Sequence, residues 1–267
     1  MSAKFACKGT GSCCSHIRGF VGEDDKKFFE EFAYGRLPLV QLMPIERTSF
    51  PLWDWEAKRF RNAALRLNIE PKIIPSRAVY DQNENRTIIV TYSIDSDACT
   101  FLQEGKCAIY NERAFICRLF PFQKSPFLKT NEEFSAESLF GGCPAISGIV
   151  PNIPGDFREM ISFLHESFNS TFLSAVENDY VTSWINRTII DLMKKKAMMP
   201  AMNHPYKFLI KRMENSEKID LTDFLVEKAI YSRFEMEEII NSFESNVHAN
   251  SRLKEVLYDF NSTNETP

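Results

Sequence analysis

The sequence predicts an α+β protein, mostly helical, in which a metal-stapled, cysteine-rich N-terminal domain with a β-hairpin precedes an all-helical C-terminal region. Three observations carry this. All seven cysteines fall within the first 143 of 267 residues. Two β-branched and aromatic runs flank a polar turn ahead of the later cysteines, and beyond residue 155 apolar residues recur at helical spacing. The composition, 44% hydrophobic and 25% charged with a net charge of −4, is that of a globular chain and argues against a broad nucleic-acid-binding surface.

In chain order, Glu23-Asp24-Asp25 opens a short helix that carries Phe28, Phe29 and Phe32 and stops before Gly35. A second helix is expected from about Trp53 to Leu67. Lys72–Tyr80 and Thr87–Ile94 form a hairpin about Asp81–Asn85, delivering the chain to Cys99. Gly141 to Gly155, rich in Pro and Gly, reads as a linker, giving a cysteine-cluster domain over 1–145 and a helical domain over 156–260. Asp156 caps a helix whose apolar face runs Phe157, Met160, Ile161, Leu164, Phe168 and Phe172. Helices are expected at Val181–Lys196, Thr222–Ile230 and Ser232–Ser245, the last opened by the capping box Ser232-Arg233-Phe234-Glu235. Asn261–Pro267 reads as a frayed end.

No apolar stretch is long enough to cross a bilayer and the N-terminus has no apolar signal core, so a cytoplasmic protein without membrane contact is expected. An odd number of cysteines cannot all pair within one chain, and a reducing compartment disfavours disulfides; metal ligation by Cys7, Cys13, Cys14, Cys99, Cys107, Cys117 and Cys143 becomes the leading explanation. The first group, Cys7-x5-Cys13-Cys14, is threaded with the small residues a ligand loop needs. The second is Cys99-x7-Cys107-x9-Cys117, and Cys143 follows in Gly141-Gly142-Cys143-Pro144. A structural zinc or a four-iron cluster takes four thiolates. Seven therefore give one centre with three left over, or two if His16 or an outside ligand completes the second. Adjacent Cys13 and Cys14 are expected to aim their sulfurs apart rather than into one small tetrahedron, so that they serve different centres or one is a packing or redox thiol. Tyr110, Arg113 and Arg118 are candidate cofactor-binding residues, the arginines offsetting thiolate charge and the tyrosine donating to a sulfur. Phe120 and Phe122, about Pro121, are expected to wall the centre from water. His165 and His204 read as packed or exposed residues, and His248 sits in a polar stretch.

Cys13-Cys14 together with Cys99, Phe101, Leu102, Cys107, Ile109, Tyr110, Arg113, Cys117, Arg118, Phe120 and Pro121 resembles a cysteine-cluster family described as zinc- or iron-chelating and often called YkgJ-like. The family pattern is a CC pair followed by C-x-F-L…C-x-I-Y-x-x-R-P-x-x-C-R-x-F-P. Arg113-Ala114 stands where the family has Arg-Pro, and five residues precede the CC pair where C-x-x-C-x-x-C-C is usual. The family is similar to the cysteine-rich region of the flagellin lysine-N-methylase FliB. The resemblance therefore implies an iron–sulfur cluster or zinc, and extends to protein lysine methylation with S-adenosylmethionine and a protein substrate. The alternative is a non-enzymatic, zinc-stapled module whose C-terminal helices bind a protein or nucleic-acid partner; Thr222–Phe243 has the length of a helix-turn-helix. No phosphate loop, G-x-S-x-G or H-E-x-x-H motif is present.

Overall fold

Ile73–Asp81 and Arg86–Ile94 pair antiparallel, as the β-branched runs predict, and form the middle of a five-stranded sheet. In chain order the strands are β1 (Val40–Gln41), β2 (Pro51–Trp53), β3 (Ile73–Asp81), β4 (Arg86–Ile94) and β7 (Glu217–Asp220), with β5 (Leu102–Gln103) and β6 (Lys106–Cys107) forming a separate two-stranded hairpin. This computed structural model describes residues 4–7, 11–18, 38–123, 125, 127 and 139–258. The predicted helix around Phe28, Phe29 and Phe32 and the frayed end at 261–267 lie outside the described residues.

The chain divides into two compact units, each built from discontinuous segments. One comprises 9–112 and 187–237 and contains the sheet. β1 borders β3, while the far edge of β4 is shared end to end: β2 pairs antiparallel with Thr91–Ser93 and β7 pairs parallel with Arg86–Ile89. Every residue of β4 after Arg86 is buried, so the strand is covered on both faces and its sequence is not alternating. The expected second helix is present at Asp54–Arg66, with the Trp53 N–H donating to Glu56 at its first turn. Together with Leu221–Glu227 it packs against β4.

β7 corrects the expectation of an all-helical C-terminal region. Glu217-Lys218-Ile219-Asp220 holds one β-branched residue and no strand pattern; it becomes a strand because β2 is too short to satisfy the far edge of β4. Arg86 reinforces the junction by bonding Glu217 and Glu227.

The other unit comprises 1–8, 113–186 and 238–267. Asp156 caps the helix Phe157–Phe168 by accepting the Arg158 and Glu159 N–H groups. The helix stops four residues before Phe172, correcting the continuous face expected up to it. Asn169 breaks the helix with a positive φ of 45° and ψ of −119°, and a new helix, Ser170–Lys194, begins, so Val181 is interior to a helix rather than its start. Phe122 sits at the centre of this unit's core with ring contacts to Phe140, Phe168 and Phe172. The segment 141–155 lies within the unit. Residues 247–258 add a helix unanticipated in the sequence, as does Tyr206–Asn215 in the sheet unit. The capping box at Ser232 and Glu235 is formed in both directions.

Candidate metal centre

Four cysteines, Cys13, Cys14, Cys99 and Cys107, lie in the sheet unit. Gly11, at φ 68°, begins a single helical turn, Ser12–Ser15, that carries Cys13 and Cys14. The turn is lashed to the chain leaving β4: the Cys99 N–H donates to Cys14 O and the Ile17 N–H to Asp97 O, both at 2.7 Å. Cys107 is delivered by the β5–β6 hairpin, where it pairs with Leu102. The two-residue connection Glu104-Gly105 has positive φ at both positions, as a tight hairpin turn requires. Gly11 packs on this hairpin closely enough that a Cβ there would stand 2.7 Å from Leu102 Cδ1. Phe101, fully buried, meets Phe60 edge to face and fixes the hairpin's root.

The sulfurs of Cys13 and Cys14 are 3.8 Å apart, so the adjacent thiols are directed to the same side rather than apart as expected. Burial pushes the Cys99 thiol above its usual range, the N–H groups of Phe101 and Leu102 oppose the shift, and the charges of Cys107 and Cys13 add to it. Such a group of thiols is strained as thiolates by mutual repulsion, which a bound cation relieves. None of the seven cysteines is in a disulfide. The donor chemistry fits a thiophilic metal, and 3.8 Å is about the sulfur–sulfur edge of a tetrahedron with Zn–S bonds of about 2.3 Å. A cubane puts each thiolate on a different iron and spaces its sulfurs more widely. Among the described residues, no group of three or more His, Cys, Asp or Glu stands ready-arranged around a metal position.

Cys7, Cys117 and Cys143 belong to the other unit. Cys7 is exposed, Cys117 lies on the short helix Phe115–Leu119, and Cys143, preceding a 3₁₀ turn, packs against the aromatic core. Arg118 pairs with Glu244 at 2.8 Å and lies over the Phe115 ring, while Phe122 is buried in the core. Tyr110 is half exposed, and Arg113 begins the segment that follows in the second unit. His16 Nδ1 is 3.4 Å from Asp97. Sequence reasoning missed the role of His248, which meets the buried Glu177 at 2.7 Å and stacks on Tyr180; two polar residues 71 positions apart carry no local signal.

Residues 60–137 match the model of the family CxxCxxCC, described as "Putative zinc- or iron-chelating domain". The match covers under a third of the chain. It contains Cys99, Cys107 and Cys117 and excludes the early pair and Cys143. No curated protein and no solved structure matches the chain. The match supports the resemblance to a cysteine-cluster family and a metal as the cofactor; it distinguishes neither zinc from iron nor one centre from two. No helix among the described residues is long and apolar enough to cross a membrane.

Proposed function

We propose that this protein chelates one zinc or iron ion through the thiolates of Cys13, Cys14, Cys99 and Cys107. The observation that carries the reading is the 3.8 Å separation of the Cys13 and Cys14 sulfurs on a turn bonded directly to Cys99. Bound there, the ion supplies a cross-link between an N-terminal segment and the β5–β6 hairpin, two short pieces of chain with little hydrophobic core of their own. Leu102 and Phe101 root the hairpin, and the Cys14–Cys99 backbone bond holds the turn in register. Lysine methylation and S-adenosylmethionine binding gain no support from the site.

The test is anaerobic purification followed by quantification of zinc, iron and acid-labile sulfide, on the wild type and on Cys99→Ser. One zinc or iron per chain without sulfide, lost in the variant, is expected. Iron with equimolar sulfide and a brown colour would replace the single ion by a cluster. A folded protein that retains neither metal, and takes up neither zinc nor ferrous iron when offered, would overturn the reading.

A further inference from the structure

We infer that Arg18 and Asp95, which are not ligands, act as the positioning pair that sets the Cys13–Cys14 turn against Cys99 and Cys107; this rests on the metal-chelating reading above. The turn spans few residues, and Ile17, 1% exposed, follows it into the buried interior. Polar attachments lie beside it. The Arg18 guanidinium donates to Asp95 Oδ1 at 2.7 Å, immediately beyond the Ile17–Asp97 and Cys14–Cys99 backbone bonds. Asp95 is itself fixed, because its N–H donates to Lys72 O at 2.7 Å where β3 begins. Its carboxylate is 16% exposed, and the positive charges beside it hold its carboxyl below the usual range, Arg47 being the larger influence and Arg18 the lesser.

Arg47 supplies an internal control. It binds the same carboxylate from the turn after β1, a segment carrying no cysteine. Removing Arg47 weakens the grip on Asp95 without touching the N-terminal turn, whereas removing Arg18 takes away the side-chain tie that follows the turn's two backbone bonds and leaves Asp95 held by Arg47 and by its own N–H. At the opposite end, Gly11 limits how the turn meets the hairpin: besides Leu102 Cδ1 at 2.7 Å, an added Cβ would stand 3.1 Å from Gly105 O, and φ 68° disfavours any larger residue. The turn is thus held at both ends by residues outside the donor set, which is how groups behind metal ligands orient them.

The experiment measures zinc affinity of the whole chain by chelator competition, together with the cobalt(II) thiolate absorption band, for wild type, Arg18→Met, Arg47→Met and Gly11→Ala. Apo-protein unfolding temperatures are taken in parallel. Arg18→Met and Gly11→Ala are expected to bind zinc roughly 10- to 100-fold more weakly and to alter the cobalt band. Arg47→Met is expected to lose clearly less than the roughly 10-fold lower bound for groups that orient ligands, because Arg47 lies on a segment that carries no cysteine. If Arg18→Met does not fold, Gly11→Ala carries the same comparison from the other end. Zinc binding by Arg18→Met equal to wild type, or equal losses in Arg18→Met and Arg47→Met, would overturn the positioning role while leaving the metal reading intact. A wild type that binds neither zinc nor cobalt would overturn both.

Discussion

The buried carboxylate of Asp54 accepts two hydrogen bonds from Thr222, 168 residues further along the chain: one from its backbone N–H at 2.8 Å and one from its hydroxyl at 2.7 Å. The Trp55 N–H donates to the other oxygen. Asp54 thereby ties the helix Asp54–Arg66 to the start of Leu221–Glu227 and fixes the strand β7 that leads into it. Lys58, which bridges Asp220 and Asp223, and Tyr92, whose hydroxyl meets Asp220 at 2.5 Å, surround the junction.

Burial pushes the Asp54 carboxyl up to about 6, against the bonds from Thr222, which favour the anion. The folded state therefore holds this proton more tightly than the unfolded chain, where the value is about 3.9. The contribution of Asp54 to stability is full below about pH 4 and is lost as pH rises to about 6; above that it is constant. Urea midpoints of wild type and Asp54→Asn, compared at pH 4.5, 5.5 and 7.5, are expected to differ by an amount that changes by about 2 kcal/mol across this range. Parallel pH profiles would refute the assignment.

Glu177, fully buried, performs the corresponding task in the other unit. Its carboxylate accepts the Ala249 N–H at 2.7 Å and meets His248 Nδ1 at 2.7 Å, so it satisfies the first turn of the helix Val247–Tyr258. Burial raises its carboxyl above the usual range. Glu177→Ala leaves a buried N–H without its acceptor and is expected to cost about 2–4 kcal/mol. Hydrogen exchange should accelerate first at Ala249 and Asn250; uniform acceleration across the unit would instead indicate a general loss of packing.

Much of this architecture is legible in local sequence, and what is not has a common cause. The β3–β4 hairpin, the helix beginning at Asp54, the Asp156 cap and the Ser232–Glu235 capping box each follow from residues within a few positions of one another. So does the grouping of cysteines, although spacing alone misjudges the direction of the Cys13 and Cys14 sulfurs. β7 depends on an edge vacated more than 120 residues earlier, and the clasps at Asp54–Thr222 and Glu177–Ala249 join segments with no shared pattern. The composition shift at 141–155 is a local property, whereas each unit closes through chain segments distant in sequence.

Phe122 is the packing centre of the aromatic core: it is 1% exposed and its ring lies 4.8 Å from Phe140 and 4.9 Å from Phe168. Phe122→Ala removes those contacts at a position surrounded by large rings that cannot collapse into the gap, and is expected to cost about 3–5 kcal/mol. Leu65, 78% exposed at the end of its helix, is the contrast; Leu65→Ala should change stability by about 0.5 kcal/mol or less. Denaturant midpoints for the two variants provide the comparison, and a small loss at Phe122 would mean the ring cluster is loosely packed.

Asp179 gives a prediction of opposite sign, a substitution that stabilises. Its carboxyl is pushed up to about 7 by burial, with a single opposing hydrogen bond from Ser125. Among the described residues its Oδ2 has no partner. Folding thus favours the neutral acid, and its benefit, full below the unfolded value of about 4, declines as pH rises to about 7. Asp179→Asn keeps an acceptor for the Ser125 hydroxyl and removes the buried charge. The variant is expected to be more stable than wild type by about 1–3 kcal/mol at pH 8 and to lose that advantage by pH 4.5, where the wild-type carboxyl is protonated in the folded state. Thermal or urea unfolding at the two pH values distinguishes this from a simple loss of contact, since a substitution that only broke the Ser125 bond would destabilise the protein at both.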